Sequence, residues 1–332
     1  MLILVLFLTI WRVVNTNDDA LYSFACSNSN QTCILYKIDI DLSSGHAISN
    51  EIANWHQSNI IDGFGSVAGF NNENTPYIIL TTNCDSQANL INVNDLSQPP
   101  LSRTMKTSCT QPIHSLSDRY LLALGTVQNE VGGSFPVSLY VFDALSGQWN
   151  YGECFILSLL PLDSKIVNFG STFSGKYQVL HPQTGFSALD LNAAEPIFHV
   201  ILYNLVNDTR HILSIRIESG QWTLKEIGNN LLSNFAYSTE LNALISDCSM
   251  GGICVLNFEN YQWELFLPIS NFTDFLDWTY SIDKQRMYFI TKQNVIVIDL
   301  SNKLSFHYRV LSLIERSGNI DAIDKTVVFN RN

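Results

Sequence analysis

Leu139–Tyr151 reads LYVFDALSGQWNY, and Ile212–Leu224 reads ILSIRIESGQWTL. Each SGQW follows a run of alternating apolar residues, the period of a half-buried strand. Gly supplies the positive φ that a tight turn needs, Ser closes the turn, and Trp opens the returning strand. The tetrapeptide is therefore read as a hairpin tip. The same pattern stands 41 residues on, where VLNFE leads into Asn260-Tyr261-Gln262-Trp263. Further copies are VIVIDLSNKLSF (Val295–Phe306), LYKIDIDLSSG (Leu35–Gly45) and LINVNDLSQ (Leu90–Gln98).

A second apolar run precedes each copy, as in PYIILTTN, RYLLALGT, NALISDCS and RMYFITKQ. Before that lies a third element, as in AYSTEL and TYSIDK, which puts Tyr237 and Tyr280 in register. The unit has four strands and a period near 40–45 residues, the signature of a propeller blade. The expectation is an all-β chain forming a single β-propeller. Seven units start near residues 20, 65, 113, 165, 197, 234 and 276. The fourth and fifth share a short span, so six blades with an insertion is the alternative. Ile323-Asp324-Lys325 repeats Ile282-Asp283-Lys284, so the C-terminus holds part of a unit. A C-terminal strand is expected to join the N-terminal blade, closing the ring and removing an open sheet edge.

The string LYVFDALSGQW resembles the repeat of quinoprotein-like and YVTN-type β-propellers, in which an apolar strand runs into D-x-x-(S/T)-G. The resemblance spans most of the chain and implies the fold. It implies no cofactor, since no paired-cysteine or calcium-binding signature of a quinone enzyme can be placed. Here Trp149 and Trp222 follow the glycine by two residues rather than several.

Composition narrows the setting. The 332 residues are 46% hydrophobic and 14% charged, with 18 basic against 30 acidic residues and a net charge of −12. Such a surface repels phosphate backbones, which argues against nucleic acid. Leu2–Ile10 is an apolar run closed by Trp11 and Arg12, too short to span a bilayer and of the length of a signal-peptide core. Residues 1–16 are read as a signal peptide and 17–332 as the propeller domain, with no membrane span. The expected location is extracellular, or the lumen of the secretory or endolysosomal pathway. Asn30, Asn207 and Asn271 head N-x-Thr sequons in expected turns. Cys26 with Cys33, and Cys248 with Cys254, flank hairpin turns at a spacing that suits disulfides. Cys84 and Cys109 are the expected third pair, which leaves Cys154 over.

No catalytic set emerges. The seven histidines (His46, His56, His114, His181, His199, His211 and His307) share no metal-ligand spacing. Asp39, Asp95, Asp143, Asp190 and Asp299 recur at strand ends, which favours turn closure over catalysis. Trp149, Trp222 and Trp263 recur equivalently and are expected to pack between blades. DGFGSVAGF lacks the Lys of a phosphate loop, and no G-x-S-x-G is present. No metal or cofactor is expected. The function read from this is a binding module for an extracellular protein or glycan. The alternative is a propeller hydrolase or lactonase with acidic or metal-binding groups in a central channel.

Overall fold

The structure, a computed structural model, describes residues 19–27, 32–56, 64–72, 75–82, 87–104, 113–115, 120–126, 137–143, 148–150, 177–179, 187–204, 207–228, 231–269, 275–302, 306–315 and 325–328. Among them every regular element is a strand. None of the described residues forms a helix long and apolar enough to cross a membrane.

The chain opens with β1 (Asp19–Ser27), β2 (Thr32–Asp41) and β3 (His46–His56), paired in sequence order. The second sheet is β4 (Phe64–Asn72), β5 (Thr75–Thr82), β6 (Gln87–Asn92) and β7 (Leu101–Thr104). The third is β8 (Ile113–Ser115), β9 (Tyr120–Thr126), β10 (Val137–Asp143) and β11 (Gln148–Asn150). The fourth contains β12 (Tyr177–Val179), β13 (Ser187–Asp190), β14 (Ile197–Asn204), β15 (Thr209–Arg216) and β16 (Trp222–Ile227). The fifth is β17 (Leu231–Ser238), β18 (Ala243–Cys248), β19 (Gly252–Asn257) and β20 (Gln262–Pro268). The sixth is β21 (Phe275–Ser281), β22 (Arg286–Thr291), β23 (Asn294–Asp299) and β24 (His307–Glu315).

The last strand, β25 (Lys325–Val328), returns to β1 and pairs with it antiparallel, Leu21 opposite Val328 and Phe24 opposite Lys325. It gives the first sheet its fourth strand, and it covers an edge of β1 that would otherwise invite pairing with another chain. The outer strands β24 and β3 also pair, in parallel, so the sixth and first sheets run together as eight strands.

The two units expected to start near residues 165 and 197 are one sheet. β12 and β13 pair with successive halves of β14, Val179 opposite Leu202 and Ser187 opposite Val200. The described parts of KYQVLHPQTGFSALDL, Tyr177–Val179 and Ser187–Asp190, thus join the sheet of β14. The described residues make one eight-stranded sheet, one five-stranded sheet and three four-stranded sheets, so six units are seen among them and a seventh is not. Their first strands lie side by side in the order β21, β25, β4, β8, β13, β17.

The core sits between sheets. In β2, Tyr36, Ile38 and Ile40 face the sixth sheet, where they meet Tyr288 and Val297. The alternate residues Cys33 and Leu35 face Ile78, Leu80 and Ile91 of the second sheet. β2 is thus buried on both faces, and each fully buried side chain of this size contributes roughly 1.5–3 kcal/mol. Between the fifth and sixth sheets Trp278 stacks on Phe289, centroids 5.5 Å apart, and its indole N–H donates to Asp247 at 2.8 Å.

Turn closure is visible at several of the recurring carboxylates. Asp190 accepts the backbone N–H of Asn192 and Ala193. Asp299 accepts from Ser301 and Asp95 from the Ser97 hydroxyl. Asp39 departs from the expectation. β2 runs on to Asp41, and Asp41 accepts from Ser43 and Ser44, while Asp39 pairs with Lys37 at 2.7 Å. An Asx turn needs its carboxylate two residues before the N–H it accepts, and Asp41 is the one at that spacing. Asp143 belongs to β10; Ser146 and Gly147 lie outside the described residues.

Cys248 and Cys254 are bonded, with Cα atoms 5.8 Å apart. Cys33 is also disulfide-bonded, and its cross-strand backbone partner is Cys26. Cys84, Cys109 and Cys154 fall outside the described residues, as do Asn30 and Asn271. Asn207 is exposed, in the turn between β14 and β15.

Candidate functional site: a cleft between the fourth and fifth sheets

Strand alternation decides which fourth-sheet side chains face the fifth sheet. In β14 these are Ile197, His199 and Ile201; in β15 they are Ile212, Ser214 and Arg216, each opposite its partner in the register. Near the Asn207 end the pattern is apolar. Ile201, Ile212 and Ile227 close against Phe235, Leu244, Leu256 and Trp263. Toward the other end it turns polar, and the sheets part around a cavity of about 900 Å³.

The fourth-sheet wall carries Asp190, His199, Ser214, Arg216 and Thr223; the fifth-sheet wall carries Tyr237, Asn242, Phe258 and Tyr261. All sit at strand ends or in the hairpin tips β13–β14, β15–β16, β17–β18 and β19–β20. The Cys248–Cys254 bridge and Asn207 belong to the opposite end. A strand of eight residues separates the two ends by about 25 Å.

His199 is the centre of this wall. It is 3% exposed, and its Nδ1 lies 2.9 Å from the Ser214 hydroxyl directly across the ladder. Burial pushes its pKa down to about 4, so the ring is neutral at physiological pH. On the opposite wall the Tyr237 hydroxyl donates to Asn242 Oδ1 at 2.7 Å. Burial, with the nearby Asp190 carboxylate, raises that phenol to about 12. Phe258 stands at the rim, 40% exposed, 5.9 Å from the His199 ring and edge-on to Tyr261 at 6.3 Å. Lys225 Nζ lies 5.8 Å over the Tyr261 ring.

The tip residues are held by their own turns. Gly220 adopts φ 69°, as the hairpin reading requires, and Tyr261 takes φ 56° at the equivalent place without being glycine. A non-glycine residue in this region costs on the order of 1–2 kcal/mol. Glu195 accepts both the backbone N–H and the hydroxyl of Ser219, and its other oxygen lies 3.8 Å from Arg216.

The sequence grouped Trp149, Trp222 and Trp263 as equivalent packing residues, and Trp222 and Trp263 are not alike. Trp263 is 2% exposed and covered by the fourth sheet, whereas Trp222 is 38% exposed. Trp222 lies across from Ile215 at the start of β16 and also lines the cleft. The side chain of Trp149 lies outside the described set. Sequence reasoning set His199 aside among seven scattered histidines. The missed signal was its pairing with Ser214 at positions where the neighbouring unit has two aliphatic residues. Among the described residues no group of three or more His, Cys, Asp or Glu is placed to hold a metal.

No protein-family model matches the chain, and no curated protein matches it significantly in sequence. Among solved structures it is similar to TolB from Acinetobacter baumannii at TM-score 0.48 and 12% identity, covering 94% of this chain and 67% of that one. It is also similar to a functionally unknown protein from Desulfotomaculum acetoxidans DSM 771 at TM-score 0.44 and 11% identity, covering 87% and 78%.

Proposed function

We propose that the chain is a secreted β-propeller of six four-stranded blades that acts as a binding module, its ligand being an extracellular glycan or protein surface that enters the cleft between the fourth and fifth sheets. The observation that carries this reading is the change of character along one interface. The two sheets are sealed by aliphatic side chains at one end. At the other, Ser214 and Asn242 reach an open volume, with the buried His199 and Tyr237 behind them. A cavity of that size, walled by rigid strands with a few convergent polar groups, has the character of a ligand site.

The apolar N-terminal run, the bonded Cys248–Cys254 pair and the exposed Asn207 sequon support export. A glycan on Asn207 would sit at the far end of β14 and leave the cleft clear. The test is to recover the chain from culture medium and probe it on immobilised extracellular glycans and glycoproteins. Hydrogen exchange then locates the bound ligand. Slowed exchange at tips 191–196, 217–221 and 258–261 is the expected result. Retention inside the cell, or protection confined to the Cys248–Cys254 end, would contradict the reading.

A further inference from the structure

The charges around the cleft are already matched. Arg216 lies beside Glu195, and Glu195 is in turn held by Ser219. Asp190 is committed to two turn amides, and His199 stays neutral above about pH 4. An anionic ligand would meet an arginine that already faces a carboxylate, on a chain of net charge −12. A cationic ligand would find one carboxylate, Asp190, whose Oδ1 is held by its own turn and which stands beside the Tyr237 hydroxyl. What the walls offer is mixed donor and acceptor capacity: the amide of Gln221 and the hydroxyl of Thr223, with what remains on Asn192 beyond its bond to Thr239 O, on the bonded pair Tyr237 and Asn242 and on Ser214 beside His199. Amides and hydroxyls each donate and accept, which is the complement of a sugar hydroxyl. Phe258 adds an exposed ring at the rim, with an apolar surface for the C–H face of a pyranose.

We infer that the cleft takes a neutral oligosaccharide, its hydroxyls meeting the Ser214–His199 pair and the tip amides and one sugar ring lying against Phe258. This rests on the proposal that the cleft is the binding site, and it names the ligand class.

The experiment is titration calorimetry of the exported, glycosylated chain with neutral tri- and tetrasaccharides of glucose, mannose and N-acetylglucosamine, set against sialylated and sulfated counterparts. At least one neutral series should bind, and the acidic group should add no affinity. Phe258→Ala should weaken binding tenfold or more. Affinity should stay level from pH 5.5 to 8, because His199 does not titrate there. Tighter binding of the acidic sugars would overturn the inference. So would failure of every sugar in a chain whose cleft is shown, by hydrogen exchange, to hold a protein; the cleft would then remain the binding site. Sugar binding that is unchanged in both Phe258→Ala and Ser214→Val would place the ligand elsewhere and overturn inference and proposed function together.

Discussion

The interface between the fourth and fifth sheets and the one between the fifth and sixth are built from the same repeat, and they differ in what fills them. His199 lies opposite Ser214 in the first. In the second, Ile245 lies opposite Val255 at the corresponding place, and both belong to a cluster with Trp278, Met287 and Phe289. The tyrosines match as well. Tyr237 bonds Asn242, and Tyr280 bonds Gln285, with Asn242 and Gln285 both at φ 51°. Gln285 is one methylene longer, and it reaches back to the preceding sheet. Its amide oxygen accepts from Glu240 N at 3.2 Å and Ser238 Oγ at 3.4 Å. Its amide nitrogen donates to Ile282 O and to Thr239 Oγ1. Asn242 is left exposed, lining the cleft. Two aliphatic residues and one methylene are what separate a filled interface from an open one.

Moving the polar pair into the filled interface should have the largest effect. Ile245→His with Val255→Ser places unmatched polar groups in an aliphatic cluster, and a loss of roughly 3–5 kcal/mol is expected in urea unfolding. A loss below 1 kcal/mol would mean that the two interfaces are less different than their side chains indicate.

Acid should act on the cleft next. His199 is depressed from 6.5 to about 4 in the folded chain. The unfolded chain therefore binds the extra proton between those values, and stability present above pH 6.5 is lost as pH falls toward 4. The loss is roughly 3 kcal/mol for this one group. His199→Ile should remove that share of the pH dependence of urea unfolding. An unchanged slope would show that the ring is solvated.

The clamp comes third. Gln285→Ala should cost roughly 2 kcal/mol by stranding partly buried donors and acceptors, and Asn242→Ala about 1 kcal/mol or less. Equal costs would erase the distinction drawn from their lengths. The smallest effect is expected at the tips. Gly220→Ala should cost about 1 kcal/mol, because alanine strains at φ 69°. Tyr261→Gly should relieve strain while removing a cleft ring, and thermal unfolding with ligand binding separates the two.

The repeat itself was legible, because hairpin chemistry is local. SGQW, the strand alternation, the turn carboxylates and the return of the C-terminal strand all follow from short-range rules. The unit count was less so. KYQVLHPQTGFSALDL looks like a unit separate from FHVILYNLV until β12 and β13 are both seen to share the edge of β14, a pairing no local pattern records. The cleft was hidden for a related reason. His199 and Ser214 stand 15 residues apart and meet only through the β14–β15 register. Trp222 and Trp263 read alike because each follows Gln at the same place after its hairpin tip, and their burial is set by what the adjacent sheet brings up against them.

The most direct measurement is ligand binding by His199→Ile/Ser214→Val, which gives the cleft the aliphatic pair of the filled interface, with urea stability recorded beside it at pH 7. The account predicts a folded chain at least as stable as the parent that no longer binds the ligand retained by the parent on the glycan and glycoprotein array. Undiminished binding by that variant would contradict the claim that the open interface is where the ligand enters.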